Sequence, residues 1–236
     1  MNANWIDQFF FGFYPYLCAV AYFLGAWTRF DRSQFTWRSQ SSQFLQKRYV
    51  RWGSNLFHIG IIGLFFGHLF GLLTPPEVYH AFGISVKGKQ IASIVVGGIL
   101  AAICFVGATM LIWRRMTEPR VRVTSKRTDL FILLFLYFQL ILGIAGIPVS
   151  LNNIEGSYML VMAEWSRSIF LFRPGAAELL TNVPWIYKIH LIAGMTLFLI
   201  TPFTRLVHIF SAPIWFPGRP GWQIVRRHKN ISKQGV

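Results

Sequence analysis

Four histidines lie inside stretches that otherwise carry almost no polar chemistry. His58 and His68 sit in SNLFHIGIIGLFFGHLFGLLTP, Ser54 to Pro75, where they are the only ionisable side chains. His190 and His208 bracket HLIAGMTLFLITPFTRLVH in the last long apolar run. A neutral imidazole offers one lone pair and one N–H, so it can ligate a metal or relay a proton. An ionisable group in an apolar span is costly and is a functional hypothesis by default. The remaining two histidines read as surface residues: His80 in a loop and His228 in the basic stretch VRRHKN. Cys18 and Cys104 fall inside apolar runs with no CxxC pair, so they read as buried small side chains and argue against an iron–sulfur centre in this chain.

The elements that must position the four imidazoles are membrane helices. The 236 residues are 54% hydrophobic and 13% charged, whereas soluble domains carry about 25% charge. A span needs about 20 mostly apolar residues. Five segments qualify: Phe9 to Trp27, Leu56 to Leu73, Ile91 to Trp113, Leu130 to Ile147 and Trp185 to Ile209. In hydrocarbon the backbone must satisfy its own hydrogen bonds, so these are helices, and the fold class is an all-α integral membrane bundle of five transmembrane helices. The start, MNANWIDQFF, lacks a basic region ahead of the first apolar run, which is therefore expected to stay as a span. Residues 1–236 read as one transmembrane domain with a short basic tail.

Charge sets the expected orientation. The segment Arg29 to Arg51, the segment Arg114 to Arg127, and Arg205 with the C-terminal tail place 18 of the 23 Lys and Arg on one side. That side is cytoplasmic by the positive-inside rule, which leaves the N-terminus outside and the C-terminus cytoplasmic. The net charge of +15 is thereby accounted for by orientation and lipid headgroups, without nucleic acid. In the long outer loop, residues 148–188, MLVMAEWSRSIFLF reads as a short amphipathic helix lying on the outer surface.

Depth then pairs the histidines. The second span runs outward and the fifth runs back, so His68 meets His190 near the outer end and His58 meets His208 near the inner end. Two pairs of facing imidazoles on antiparallel helices are what two bis-histidine hemes require. The 18 residues from His190 to His208 return to one helix face and span about 27 Å, against about 15 Å for the 10 residues from His58 to His68. The mismatch predicts tilted ligand axes and a kink at Pro202. Gly60, Gly63, Gly67, Gly71 and Gly194 serve either helix packing or room for a porphyrin, with nothing in the sequence to separate the two. Arg114, Arg115 and Arg205 could pair with heme propionates, although the orientation rule already explains them.

Four stretches carry a family resemblance: YPYLCAVAYFLGAWTRFDRSQFTWRSQSSQFL, SNLFHIGIIGLFFGHLFGLLTP, HLIAGMTLFLITPFTRLVHIFSAP and the loop ending ISVKGKQIA. Over about residues 8–215 the chain resembles the membrane cytochrome b (gamma) subunit of respiratory nitrate reductase. The resemblance implies two b hemes, the outer on His68 and His190 and the inner on His58 and His208. It also implies quinol oxidation near the outer heme, with Lys87 at the quinol. Further implications are an iron–sulfur beta subunit and a molybdenum-containing alpha subunit as partners, and a multi-pass location in a bacterial inner membrane. Read without the resemblance, Lys87 is an interfacial lysine reaching for headgroups.

Two other classes stay open on the residues. A diheme quinone-linked cytochrome of a dissimilatory sulfite-reduction complex is a similar subunit with a different terminal acceptor, and this sequence discriminates poorly between the two. A proton-coupled transporter with a histidine relay would need acidic partners in the spans, and the second to fifth spans hold none.

Overall fold

The computed structural model describes residues 4–33 and 48–211. Most of the basic segment between Arg29 and Arg51, and the C-terminal tail with His228, lie outside the described residues. Every regular element among them is helical. Five stretches are long and apolar enough to cross a membrane: Trp5–Arg32, Arg51–Leu73, Val86–Thr117, Arg127–Asn152 and Trp185–Phe203. Each of the five expected spans is present, most of them longer at the ends than the apolar runs alone suggested.

The first span is composite. Helix α1 (Trp5–Gln8) leads through a π-helical turn (Phe9–Phe13) into α2 (Tyr14–Arg32). Pro15 explains part of this. In a regular α-helix the N–H of residue 15 bonds the Phe11 carbonyl, and proline has no N–H. The Phe11 carbonyl accepts instead from the indole Nε1 of Trp165 at 2.9 Å. Trp165 lies on α8 (Ser157–Phe170), and with Phe11, Ala176, Ala177, Leu180 and Val183 it forms a buried apolar cluster.

The second and third spans, α3 (Arg48–Leu73) and α5 (Val86–Thr117), make the closest helix pair. Their approach depends on missing side chains. A Cβ on Gly60 would lie 2.5 Å from the Cys104 Cβ and 2.6 Å from its backbone nitrogen, and one on Gly107 would collide with the backbone of Phe57. Small residues at such a seam let two backbones meet directly. The fourth span is α7 (Arg127–Asn152), and the last begins as α10 (Trp185–Ile200). Neighbours pack in the order α3, α5, α7, α10, α2, with α3 standing off α10.

One end of this bundle is capped by α4 (Pro76–Ala81), α8 and α9 (Ala176–Leu179); the short helix α6 (Pro119–Thr124) lies at the other, basic end. The expected amphipathic surface helix forms as α8, but it does not lie free on the surface. Ala163, Trp165, Ser166 and Ser168 are buried, and α8 packs on α3 and α9. Its apolar face is used by the protein itself.

The last span also departs from expectation. Its α-helix stops at Ile200 and does not run to Ile209. Thr201–Phe203 and Arg205–Ser211 form two short 3₁₀ segments separated by Thr204 in an extended conformation (φ −121°, ψ −176°). Pro202 cannot continue the hydrogen-bond ladder, so the break replaces the predicted kink. The same-face argument for His190 and His208 therefore fails, because 3₁₀ turns have a different twist and rise. Gly25 of α2 makes room for the break: a Cβ there would lie 2.8 Å from the Pro202 ring. Arg29 of the same helix donates from Nη1 to the carbonyls of Pro202 at 2.6 Å and Thr204 at 2.8 Å.

Replacing Trp165 with Phe keeps the ring but removes the donor to a buried carbonyl, which should cost about 1–3 kcal/mol. Gly60→Val should cost about as much through overpacking against backbone that cannot yield. Thermal unfolding of the purified protein in detergent checks both.

Candidate functional site: imidazoles between the second and last spans

The structure brings two of the four histidines together. The rings of His68 on α3 and His190 on α10 face each other with centres 5.9 Å apart and planes at 41°. Metal–imidazole bonds of about 2 Å, with roughly 1 Å more from each nitrogen to its ring centre, put two axial imidazoles about 6 Å apart. A 5.9 Å spacing also falls within ordinary aromatic packing. Hydrogen bonding shows how three of the four imidazoles are set.

His68 Nδ1 lies 2.7 Å from the Leu64 carbonyl, and His58 Nδ1 lies 2.7 Å from the Ser54 carbonyl. His208 Nδ1 faces the carbonyl of Arg205 at 2.5 Å. A carbonyl only accepts, so each Nδ1 carries the proton and each Nε2 keeps its lone pair. That is the arrangement by which proteins orient metal-ligating histidines, with the second nitrogen tied to an acceptor. Three imidazoles from two helices are thus set as Nε2 bases.

The space beside them matches. The glycines, left undivided by the sequence, fall into two groups. Gly60 and Gly63 abut Cys104 and Leu100 of α5, so they serve helix packing. Gly67 and Gly71, flanking His68, have nothing within 4 Å of where a Cβ would stand. Gly194 makes room for another side chain, since its Cβ would lie 3.2 Å from Gln139 Nε2. Among the described residues no three His, Cys, Asp or Glu converge as a protein-only metal site requires. Two axial nitrogens suffice for iron whose other positions a macrocycle fills, and the donor set fits that case.

His58 and His208 make no ring contact with each other. His58 packs edge-on to Phe57, and His208 rides on the 3₁₀ segment beyond the break. That segment is anchored by Arg205, which pairs with the buried carboxylate of Asp129 at the start of α7. Arg114 is buried and Arg115 half-buried at the same end of the bundle.

Lys87 stands at the capped end, on the first turn of α5. Its Nζ pairs with Glu155 at 2.8 Å, and both side chains are largely exposed, at 51% and 74%. Lys89, which sequence reasoning passed over, turns toward α3 instead. Its Nζ donates to the Gly71 carbonyl at 3.0 Å and lies 4.4 Å over the ring of Tyr79. Burial pushes the Tyr79 phenol above its ordinary pKa. On α8, hydrogen bonds from Arg167 hold the Glu164 carboxyl below the usual carboxylate range, with Arg173 adding to the effect. His80 is exposed on α4, as expected.

Two further residues brace the paired histidines. Gln139 of α7 donates from Nε2 to the His190 carbonyl at 3.0 Å. Lys188, two residues before His190, is buried with Asp7 of α1, at 5% and 9% exposure. Its ammonium donates to both carboxylate oxygens, at 3.1 and 3.0 Å, and to the Thr181 carbonyl at 3.3 Å. Gln139 had a signal in the sequence, being the one amide side chain within Leu130 to Ile147. Lys188 lies in the first turn of the last span, and its partner Asp7 is 181 positions away in the sequence.

These features define a multi-pass helical membrane protein with paired imidazoles inside its spans. Comparison with known proteins narrows the class. The family described as nitrate reductase gamma subunit matches residues 7–228. The respiratory nitrate reductase 2 gamma chain of Escherichia coli (strain K12) is 47% identical over 226 residues, 96% of this chain and 99% of that one. The respiratory nitrate reductase 1 gamma chain of the same organism is 42% identical, covering 95% and 100%. The nitrate reductase gamma chain of Bacillus subtilis (strain 168) is 35% identical, covering 88% and 92%. The chain belongs to the nitrate reductase gamma subunit family, as the resemblance implied.

Removing the carboxylate with Asp7→Asn leaves the Lys188 ammonium buried without its counter-charge, a loss of about 3–5 kcal/mol. Replacing both residues with apolar ones should cost less. Melting temperatures of the two variants test the difference.

Proposed function

We propose that this chain is the quinol-oxidising, diheme cytochrome b subunit of a respiratory nitrate reductase. The observation that supports it most is His68 opposite His190 at 5.9 Å, flanked by open space at Gly67 and Gly71. Two b hemes would be held, one between His68 and His190 and one between His58 and His208. When bound, they carry single electrons between a two-electron quinol and an iron–sulfur acceptor.

The chain's own residues do the positioning. The carbonyls of Leu64, Ser54 and Arg205 fix the tautomers of three ligands, so none of these three must lose a proton before it can bind. The apolar spans keep water from the centres, and that dry shell helps set their potentials. Lys87 donates a hydrogen bond to a quinol oxygen at the capped end. Its pair with Glu155 is exposed, and exposed pairs contribute little, so exchanging that partner for a quinol costs little. Tying the N-terminal helix to α10 through Asp7 and Lys188 holds the backbone two residues from His190.

Orientation follows from the sequence, in which 18 of the 23 Lys and Arg are expected at the end away from α8. That end faces the cytoplasm of a bacterium, and the capped end faces out. The basic end docks the iron–sulfur beta subunit, which joins the chain to the molybdenum-containing alpha subunit. Quinol protons are then released outside while electrons leave inward, and charge is separated across the membrane. Nitrate is reduced in the partner, away from this chain.

Quantitation of b heme in the purified complex should give two per chain, falling to one in His68→Leu with loss of quinol-driven reduction. Two hemes retained in that variant would overturn the ligand assignment. Lys87→Ala should keep both hemes and raise the quinol KM by about tenfold or less, the worth of one hydrogen bond. An unchanged KM in a steady-state quinol assay removes Lys87 from the quinol site.

A further inference from the structure

Among the four imidazoles, His190 is the exception. The other three place Nδ1 on a carbonyl of their own helix, one turn back. His190 Nδ1 is buried and has no hydrogen-bond partner. The adjoining side chain has the complementary deficit. Gln139 Oε1 is also buried without a partner. Gln139 is the side chain that hydrogen-bonds His190, reaching its carbonyl at 3.0 Å and lying 3.5 Å from its ring Nε2.

The orientation of the amide is not arbitrary. A backbone carbonyl accepts only, so the Gln139 atom 3.0 Å from the His190 carbonyl is the –NH₂, and the oxygen points elsewhere. The same –NH₂ faces the ring Nε2 at 3.5 Å, which leaves the ring proton on Nδ1. A buried N–H donor and a buried C=O acceptor thus sit unpaired in two side chains that already touch. Each unmade bond is costly in a dry interior. Two glycines hold the pair in place. Gly194 leaves the space that Gln139 Nε2 occupies, and a Cβ on Gly143 would lie 3.2 Å from His190 Cε1.

We propose that Gln139 is the positioning residue of the outer metal centre, its Oε1 accepting the Nδ1–H of His190 when Nε2 binds the metal. That bond would satisfy both orphaned atoms at once. His190 then has the acceptor that the other three histidines find on their own helices, supplied here by α7. An acceptor on Nδ1–H makes the imidazole a stronger electron donor and favours the oxidised metal. Gln139 would therefore hold the outer potential down, while the inner centre, which makes no contact with Gln139, is unaffected.

The inference rests on the diheme reading, and its test separates the two. Heme content of the purified complex reports the diheme reading. Optical redox titration, resolving the two b hemes, reports Gln139. In Gln139→Leu the outer potential should rise so that the reduced-to-oxidised ratio at fixed potential changes up to about tenfold, about 59 mV for a one-electron couple. In Gln139→Glu, which restores an acceptor, it should return to the wild-type value or below. A merely structural role would move both variants the same way. Should Gln139→Leu lose the outer heme, Gln139→Glu must retain it. The inference is overturned by an unchanged potential in Gln139→Leu, by equal shifts of one sign in both variants, or by loss of the outer heme in both.

Discussion

Within an apolar span both nitrogens of an imidazole need a partner, and this constraint governs how the protein sets its histidines. Three of the histidines resolve it by turning Nδ1 back onto the carbonyl one turn earlier, which commits Nε2 to the space between helices. A helix can offer that carbonyl only where the side chain leans along its own axis, so tautomer and direction are fixed together. The neighbouring glycines follow from the same requirement. At Gly60 and Gly107 they pull α3 onto α5, and at Gly67 and Gly71 they leave α3 bare beside its second histidine. The helix is thus pressed to one neighbour and held away from another.

Backbone groups obey the same rule wherever the ladder is interrupted. At two prolines, one near each end of the bundle, the remedy comes from another part of the chain. At Pro15 it is the indole of Trp165, 150 residues further along the sequence. At Pro202 it is the guanidinium of Arg29. These long-range bonds join the capping helices and the last span to the first, so the N-terminal helix takes part at both ends of the bundle. The buried Asp7–Lys188 pair adds a third tie on that helix.

Much of this was legible beforehand because hydrophobic length and intramembrane histidines are strong, local signals. The five spans, and the meeting of His68 with His190, follow from run length and chain direction. Features that depend on neighbours were not legible. The spacing of His190 and His208 assumed one continuous helix, yet Pro202 ends it, and the decision between kink and break rests with Gly25 and Arg29 on a distant helix. Amphipathicity marked α8 correctly as a helix but could not say whether lipid or protein would cover its apolar face. Lys87 and Lys89, two residues apart, point to different partners, and no rule of spacing distinguishes an ammonium facing Glu155 from one facing Gly71. The glycines were ambiguous for the same reason, because a missing side chain carries no record of what stands opposite.

The break at Pro202 has a mechanical consequence. His190 belongs to the continuous helix α10, whereas His208 sits on a short segment held to α7 through Asp129, beyond a break whose carbonyls bond Arg29 of α2. The two histidines of the last span are therefore registered to different parts of the frame. A tilt of α10 at one face of the membrane need not be transmitted to the other, so the surroundings of His190 and of His208 can evolve as independent parts.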